Sequence, residues 1–173
     1  KKFKSNVEKK YSNIECVLTG ENLGYGKANN IGLKKSKTKY CLVLNPDTIL
    51  EVDAIKNFIS SAEVNKNFYI IAPLQVKNEF SKKSNFKNSL SLLESEQVEG
   101  FAMFLNMEKF YDIGFFDENF FLYLEEIDLC KRVRNKKGSI YINPNIKIFH
   151  FAGKSVNHIF SHQVELARNW HWM

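Results

Sequence analysis

Two groups of acidic side chains in the sequence have the type and spacing to do chemistry, and Asp47 belongs to the first. It follows Asn45 and Pro46 at the end of a continuous apolar run over residues 40–44. Such a run is typical of a strand buried on both faces of a parallel sheet. A carboxylate at the carboxyl edge of that sheet would face the ligand crevice, where its oxygens suit Mg²⁺ or Mn²⁺. On spacing alone, the same three residues are more typical of a simple turn.

The second group consists of Glu125, Glu126 and Asp128, which follow the apolar residues 120–123. Three carboxylates within four residues repel one another, which raises the pKa of the most buried one, as a general base near neutral pH requires. The alternative is a solvated acidic helix start that is stabilised by the helix dipole. The preceding apolar side chains indicate that part of the group lies near apolar surface.

A single histidine, His150, ends an apolar segment near the C-terminus. A lone histidine at a strand end is more often structural than a ligand. Imidazole is nevertheless a common metal ligand, so His150 could share one cation with Asp47.

A glycine-containing segment, GYGKANN over residues 24–30, enters a predicted helix. Its glycines allow close approach of a ligand to the backbone, and Lys27 together with the helix N-terminus suits an anionic group. The segment lacks the third glycine of a dinucleotide-binding fingerprint, and we reject that interpretation.

The elements that must position these groups alternate between strands and helices, which predicts one α/β domain over residues 1–173. A polar stretch over residues 77–95 is predicted to be a surface excursion. The predicted strands cover residues 14–18, 40–44, 69–73, 98–105, 139–142 and 146–150. The predicted helices cover residues 1–11, 27–37, 54–64 with Asp53 as the cap, 107–113, 119–135 and an aromatic segment at 161–173.

Composition limits the classes of protein that fit. Hydrophobic residues make up 44% and charged residues 25%, which excludes a disordered chain. The net charge of +6 suits an anionic partner, but the lysines are scattered and form no basic arm, so nucleic-acid binding is not expected. Three widely spaced cysteines, no secretory signal and no membrane-spanning run predict a cytoplasmic protein in a reducing compartment.

Taken in order, these segments resemble glycosyltransferase family 2, in the branch that contains rhamnosyltransferases and related cell-envelope polysaccharide enzymes. Each motif is weak alone, whereas the ordered set, from about Ile14 to the C-terminus, is specific. The matching stretches are residues 22–32, 44–48, 114–118 and 121–132, followed by His150 and Ser155.

The resemblance implies a GT-A fold, which is a three-layer α/β sandwich with a mainly parallel central sheet. The chain begins at Lys1, after the position where the family has its first nucleotide-binding strand–helix–strand unit, so that unit is expected to be missing here. The implied reaction is inverting transfer of a sugar from a nucleoside-diphosphate-sugar donor to a glycan or lipid-linked acceptor. The implied cofactor is Mg²⁺ or Mn²⁺, and the implied pathway is the synthesis of a rhamnan, O-antigen or capsule.

The resemblance also assigns roles to individual residues. Asp47 and His150 are the expected metal ligands. Glu126 stands at the position of the catalytic base, with Glu125 and Asp128 beside it; the family usually has Asp there, and the extra methylene could shift the carboxylate by roughly an ångström. The resemblance places Gly24, Lys27 and Asn30 on the donor side, where Asn45 is also expected, and Gly100 and Asp117 on the acceptor side. Trp170 is expected on the acceptor side because it lies in the aromatic tail, and not because of the resemblance.

Two further hypotheses follow from the sequence. The Glu126 substitution and the missing first unit leave open a non-catalytic sugar-nucleotide or glycan-binding module derived from the same family. The tail over residues 163–173, with Trp170 and Trp172, could contact the inner face of the cytoplasmic membrane, or it could simply pack against the domain.

Overall fold

The computed structural model describes residues 2–76 and 92–151 of the chain. Within these residues the helices are α1 (Lys2–Lys10), α2 (Tyr25–Lys35), α3 (Ala54–Val64) and α4 (Glu125–Asn135), with a short 3-10 helix at Met107–Phe110. The strands are β1 (Tyr40–Leu44), β2 (Thr48–Leu50), β3 (Phe68–Val76), β4 (Leu93–Glu94), β5 (Ala102–Asn106) and β6 (Ser139–His150).

The six described strands form one mixed sheet in the order β1-β5-β3-β6-β2, with β4 also beside β6. Strand β5 runs antiparallel to both of its neighbours, and only the β3–β6 pairing is parallel. The expectation of a mainly parallel sheet is therefore wrong for the described strands. The sheet is mixed because β5 lies between β1 and β3 and runs in the opposite direction to both.

The sheet lies between two helical layers, as expected for a three-layer sandwich. Adjacent residues along a strand point to opposite faces, and here they join different cores. Ile70 packs with Leu33 of α2 and Leu129 of α4, whereas Ile71 packs with Phe58 of α3. All five side chains are buried, so the two cores fix both helical layers on the sheet.

Several local predictions are confirmed. Strand β1 has the predicted bounds, and α3 begins directly after Asp53, although the Asp53 side chain makes no capping hydrogen bond. The two strands predicted on either side of Pro144 are one strand, β6. Its pairing with β3 is irregular around Pro144, where the register shifts from Pro73–Asn143 to Leu74–Lys147.

Two other predictions are wrong. Residues 14–18 form no strand, and Ile14, Val17 and Leu18 are exposed rather than buried in the sheet. The helix predicted from residue 119 begins only at Glu125, because Leu124 before it is in the left-handed conformation. The predicted helix at 161–173 and most of the excursion at 77–95 lie outside the described residues.

The sheet topology brings three distant segments to one edge. Since β1, β3 and β6 share a direction, the carboxyl ends of β1 and β6 meet there, together with the amino end of the antiparallel β5. At this edge, residues 45–47 follow β1, residues 99–101 precede β5, and His150 is the last residue of β6. No helix in residues 2–76 and 92–151 combines the length and apolarity needed to cross a bilayer.

Candidate active site

Asp47 and His150 face each other at this edge. Asp47 lies between β1 and β2, and Thr48 pairs with His150 in the antiparallel β2–β6 register. His150 Nε2 lies 3.3 Å from Asp47 Oδ1, and each side chain is 14% exposed. The backbone thus holds a carboxylate and an imidazole together at a partly open position.

The two side chains fit a divalent cation. Asp47 Oδ1 is buried and lies 3.3 Å from His150 Nε2, and it has no well-aligned hydrogen bond among the described residues. A buried carboxylate oxygen without a full set of partners is costly unless something binds it. One carboxylate oxygen and one imidazole suit Mn²⁺ or a similar ion. The described part of the chain holds no group of three potential ligands, so further ligands would come from water or from a substrate's oxygen atoms.

Neighbouring groups fix the orientation of His150. The Phe101 ring stacks on the imidazole, with 4.8 Å between the ring centroids and an interplanar angle of 10°. The side-chain amide nitrogen of Asn45 lies 3.5 Å from His150 Nε2. The Asn45 main-chain N–H donates to the carbonyl of Phe101 over 2.8 Å, which ties the end of β1 to the residue that precedes β5.

The carboxylate pair Glu125 and Glu126 opens α4, after two residues in an unusual backbone conformation. Tyr123 and Leu124 have φ of 70° and 71°, which costs a non-glycine residue of order 1–3 kcal/mol each. Contacts with the start of α2 hold this loop in place. The Tyr25 main-chain N–H donates to the Phe121 carbonyl over 3.0 Å, and a Cβ at Gly24 would collide with that carbonyl.

Burial shifts the pKa of both carboxyl groups upward. Glu125 is 3% exposed, and its burial, followed by the charge of Glu126, raises its pKa to about 7. Its Oε2 atom has no hydrogen-bond partner among the described residues. Burial, followed by the charge of Glu99, also raises the pKa of Glu126. Both groups therefore hold a proton more readily than exposed glutamates do.

Two cavities meet at Glu126. The smaller one, of about 280 Å³, is lined by Asn45 and His150, together with Glu125. The larger one, of about 480 Å³, has mostly apolar walls that include Leu74 and Ile127. The two cavities share Glu99, Phe101 and Glu126. Glu126 therefore has access to two adjoining spaces, as a proton-transfer group between two substrates needs.

Of the four predicted donor-side residues, Asn45 lines the smaller cavity, and the other three do not line either cavity. Gly24 packs under Phe121. The buried Asn30 exchanges hydrogen bonds with the main chain of Phe116, at 2.8 and 3.1 Å, and also donates to Glu118. Lys27 is exposed, and its charge helps to lower the pKa of Glu118, after the hydrogen bonds from Lys34 and Asn30 and the charge of Lys34.

The predicted acceptor-side residues and Asp128 also differ in whether they line a cavity. Gly100 lines the smaller cavity. Asp117 instead accepts from both the main chain and the side chain of Asn119, and so shapes a turn. Asp128 lines neither cavity, since its carboxylate pairs with Arg132 at 2.7 Å. Trp170 lies outside the described residues.

Three residues of the site were not found from the sequence. Tyr25 lines the smaller cavity, Glu99 and Phe101 line both cavities, and Phe101 also stacks on His150. A signal for Tyr25 was its place between two glycines at a helix start. Glu99 and Phe101 flank Gly100, which had itself been singled out.

These features define the class of protein as an α/β sandwich that has a histidine–carboxylate pair and a buried acidic pair beside two cavities. Solved structures with the GT-A fold share this architecture. The structure of GalNAc-T7 with UDP, GalNAc and Mn²⁺ aligns over 87% of this chain and 34% of its own, at 13% identity and a TM-score of 0.71. That of S. aureus TarS with UDP-GlcNAc aligns over 91% and 48%, at 16% identity and a TM-score of 0.63.

The chain belongs to glycosyl transferase family 2, whose model matches residues 2–130. Among curated proteins it is 26% identical to the low-salt glycan biosynthesis hexosyltransferase Agl10 of Haloferax volcanii over 75% of the chain. It is 23% identical to the rhamnosyltransferase WbbL of Escherichia coli K12 over 93%, and 26% identical to the dTDP-rhamnosyl transferase RfbF of Shigella flexneri over 83%. The matches span 49%, 71% and 54% of those proteins, so the chain covers about half the length of two of them.

Proposed function

We propose that this chain carries the catalytic centre of an inverting glycosyltransferase that moves a sugar from a nucleoside-diphosphate donor to an acceptor hydroxyl. The observation that carries the proposal is the position of Glu126. It lines both cavities, whereas His150 lines only the smaller one. A base placed between donor and acceptor spaces is what single displacement requires.

The smaller cavity is assigned to the diphosphate end of the donor. His150 lines it and contacts Asp47 at 3.3 Å, and Asn45 offers an amide that can donate to a phosphate oxygen. Mg²⁺ or Mn²⁺ bound there would neutralise the charge that develops on the departing diphosphate. The Mn²⁺ and UDP in the GalNAc-T7 structure support this arrangement, since that protein shares the fold.

The acceptor fits the larger cavity. Its hydroxyl gives its proton to Glu126, the hydroxyl oxygen bonds to the anomeric carbon, and the bond from that carbon to the diphosphate oxygen breaks. Attack from the side opposite the leaving group inverts the anomeric configuration. The raised pKa of Glu126 makes it a stronger base than an exposed carboxylate, which favours proton transfer near neutral pH.

The names of the curated relatives, a glycan biosynthesis hexosyltransferase and two rhamnosyl transferases, support a hexose or rhamnose donor and a glycan product. Cell-envelope polysaccharide synthesis, a lipid-linked acceptor and action at the inner face of the cytoplasmic membrane stay predictions. The contribution of Trp170 to the acceptor and to membrane contact stays a prediction.

The test is a donor screen on the full-length protein with Mn²⁺, using UDP-GlcNAc and dTDP-rhamnose among the donors and measuring released nucleoside diphosphate. We expect Glu126→Gln to lower kcat by about 10²–10⁴-fold, the usual contribution of a general base. The exposed Glu96, which lines neither cavity, provides the matched control Glu96→Gln with wild-type turnover. Near-normal turnover of Glu126→Gln would contradict the base assignment. Donor binding without turnover by the wild type would identify a binding module instead.

A further inference from the structure

Tyr25, the first residue of α2, joins three segments of the site. Its hydroxyl donates to the Gly100 carbonyl, and its main-chain N–H donates to the Phe121 carbonyl. Its ring packs edge-on against Phe116, with 5.5 Å between the centroids. Tyr25 therefore connects the start of α2 with the segment before β5 through its side chain, and with the loop that leads into α4 through its main chain.

Gly100 lies between the Tyr25 hydroxyl and the proposed base. A Cβ placed on Gly100 would be 3.5 Å from Tyr25 Oη and 3.5 Å from Glu126 Cβ. These are ordinary van der Waals distances, so one methyl group would fill the space between the Gly100 main chain and Glu126 Cβ. The hydrogen bond from Tyr25 holds the Gly100 main chain at one side of this space.

The same main chain leads directly to the metal pair. Phe101 follows Gly100, accepts a hydrogen bond from the Asn45 N–H, and stacks on His150. A shift at Gly100 would therefore be passed to the imidazole on one side and to Glu126 on the other. Packed side chains transmit such shifts because the interior leaves little free space.

The Tyr25 hydroxyl keeps its proton. Burial, followed by the charges of Glu125 and Glu126, raises the pKa of Tyr25 well above its ordinary value. The group therefore remains a hydrogen-bond donor to Gly100 over the whole range in which an enzyme of this kind works.

We propose that Tyr25 is a positioning residue, which acts through Gly100 to set the separation between the base Glu126 and the metal ligand His150. The inference rests on the proposed function. Tyr25 takes no part in proton transfer. Its hydroxyl instead keeps the base Glu126 and the metal ligand His150 at a fixed separation.

The experiment compares Tyr25→Phe with Tyr111→Phe in the full-length protein. Tyr25→Phe removes one hydroxyl and keeps the ring on Phe116, whereas Tyr111 is 82% exposed and serves as the matched control. We expect Tyr25→Phe to lower kcat by about 10- to 100-fold, since misplacement by an ångström can cost that much. The donor KM should stay within about twofold, because a position change of the base affects the transition state rather than ground-state binding. Tyr111→Phe should match the wild type.

Unchanged kcat in Tyr25→Phe would overturn the proposal, as would a loss of kcat that is matched by a loss of folded protein in an unfolding curve.

A readout without turnover separates this proposal from the proposed function. The NMR chemical shifts of the Glu126 carboxyl carbon and of the His150 imidazole should both change in Tyr25→Phe. Both should stay as in the wild type in Tyr111→Phe. If both shifts stay in place, Tyr25 does not position these groups. If both move in a protein that transfers no sugar, the proposed function fails and the positioning role of Tyr25 stands.

Discussion

Asp47 Oδ1 and His150 Nε2 lie 3.3 Å apart because Thr48, the residue after Asp47, pairs with His150 in the β2–β6 register. The contact is thus set by main-chain pairing and does not depend on flexible side chains reaching toward each other. A pair fixed in this way is preorganised for a cation, and its removal should be felt directly in metal affinity.

Asp47→Asn should weaken Mn²⁺ binding by at least about tenfold, because it replaces a charged oxygen ligand with a neutral amide. Titration of free Mn²⁺ by electron paramagnetic resonance measures the affinity. Asp53→Asn is the control, since Asp53 is an exposed residue of the same region whose side chain makes no capping bond. Equal affinities in the two variants would show that Asp47 does not bind the metal.

Gly24→Ala and Gly32→Ala should change stability in opposite directions. Gly24 has φ of 78°, and a Cβ there would collide with the Phe121 carbonyl, so alanine should lower the free energy of unfolding by more than about 1 kcal/mol. Gly32 lies within α2 with nothing within 4 Å of its Cβ position, and alanine should add about 0.5–1 kcal/mol. Urea unfolding measures both, and a stabilising Gly24→Ala would contradict the packing of this loop.

Glu125 should make the protein less stable as the pH rises. Its pKa in the folded protein is about 7, above the ordinary value of 4.5, so the folded state binds more protons between these values. The stabilisation is complete below pH 4.5 and is lost as the pH rises through 7, by at most about 3 kcal/mol. Glu125→Gln should remove this dependence from unfolding curves measured at pH 4.5 to 8. Glu63→Gln, at an exposed position, should retain the pH dependence. If the free energy of unfolding changes with pH in the same way in the wild type and in Glu125→Gln, the raised pKa of Glu125 is refuted.

Asn30→Ala should cost several kcal/mol of unfolding free energy. It leaves the N–H and the carbonyl of Phe116 without their side-chain partner, and each buried group without a partner costs about 1–3 kcal/mol. Asn29 makes one hydrogen bond, to the Tyr25 carbonyl, and Asn29→Ala should cost only about 0.5–1.5 kcal/mol. Chemical denaturation compares the two, and equal losses would argue against a structural role for Asn30.

The sequence was sufficient for features that depend on neighbouring residues. The apolar run of β1 ends where Pro46 removes a donor, and α3 follows Asp53 because the apolar spacing there is helical. The order of motifs was also enough to indicate the GT-A fold. These signals lie within a few residues of each other and need no knowledge of the tertiary structure.

The remaining features depend on distant partners. The insertion of β5 between β1 and β3 follows from pairings that no local pattern encodes. The resemblance predicts Asn30 on the donor side, but no local pattern indicates its hydrogen bonds with Phe116, which is 86 positions away. Leu124 ends the loop before α4 in a left-handed conformation that its residue type disfavours, and that conformation is imposed by the surrounding packing.

The pairing of β2 with β6 has a thermodynamic consequence for the whole domain. Asn45, two residues before the proposed ligand Asp47, lies 105 positions from His150, so the proposed cation site exists only when nearly the entire described chain has folded. An ion bound there is therefore absent from the denatured ensemble, and mass action must favour the native state. Above the dissociation constant, each tenfold rise in free Mn²⁺ should add about 1.4 kcal/mol to the free energy of unfolding. The melting temperature of this domain should thus report the availability of the ion.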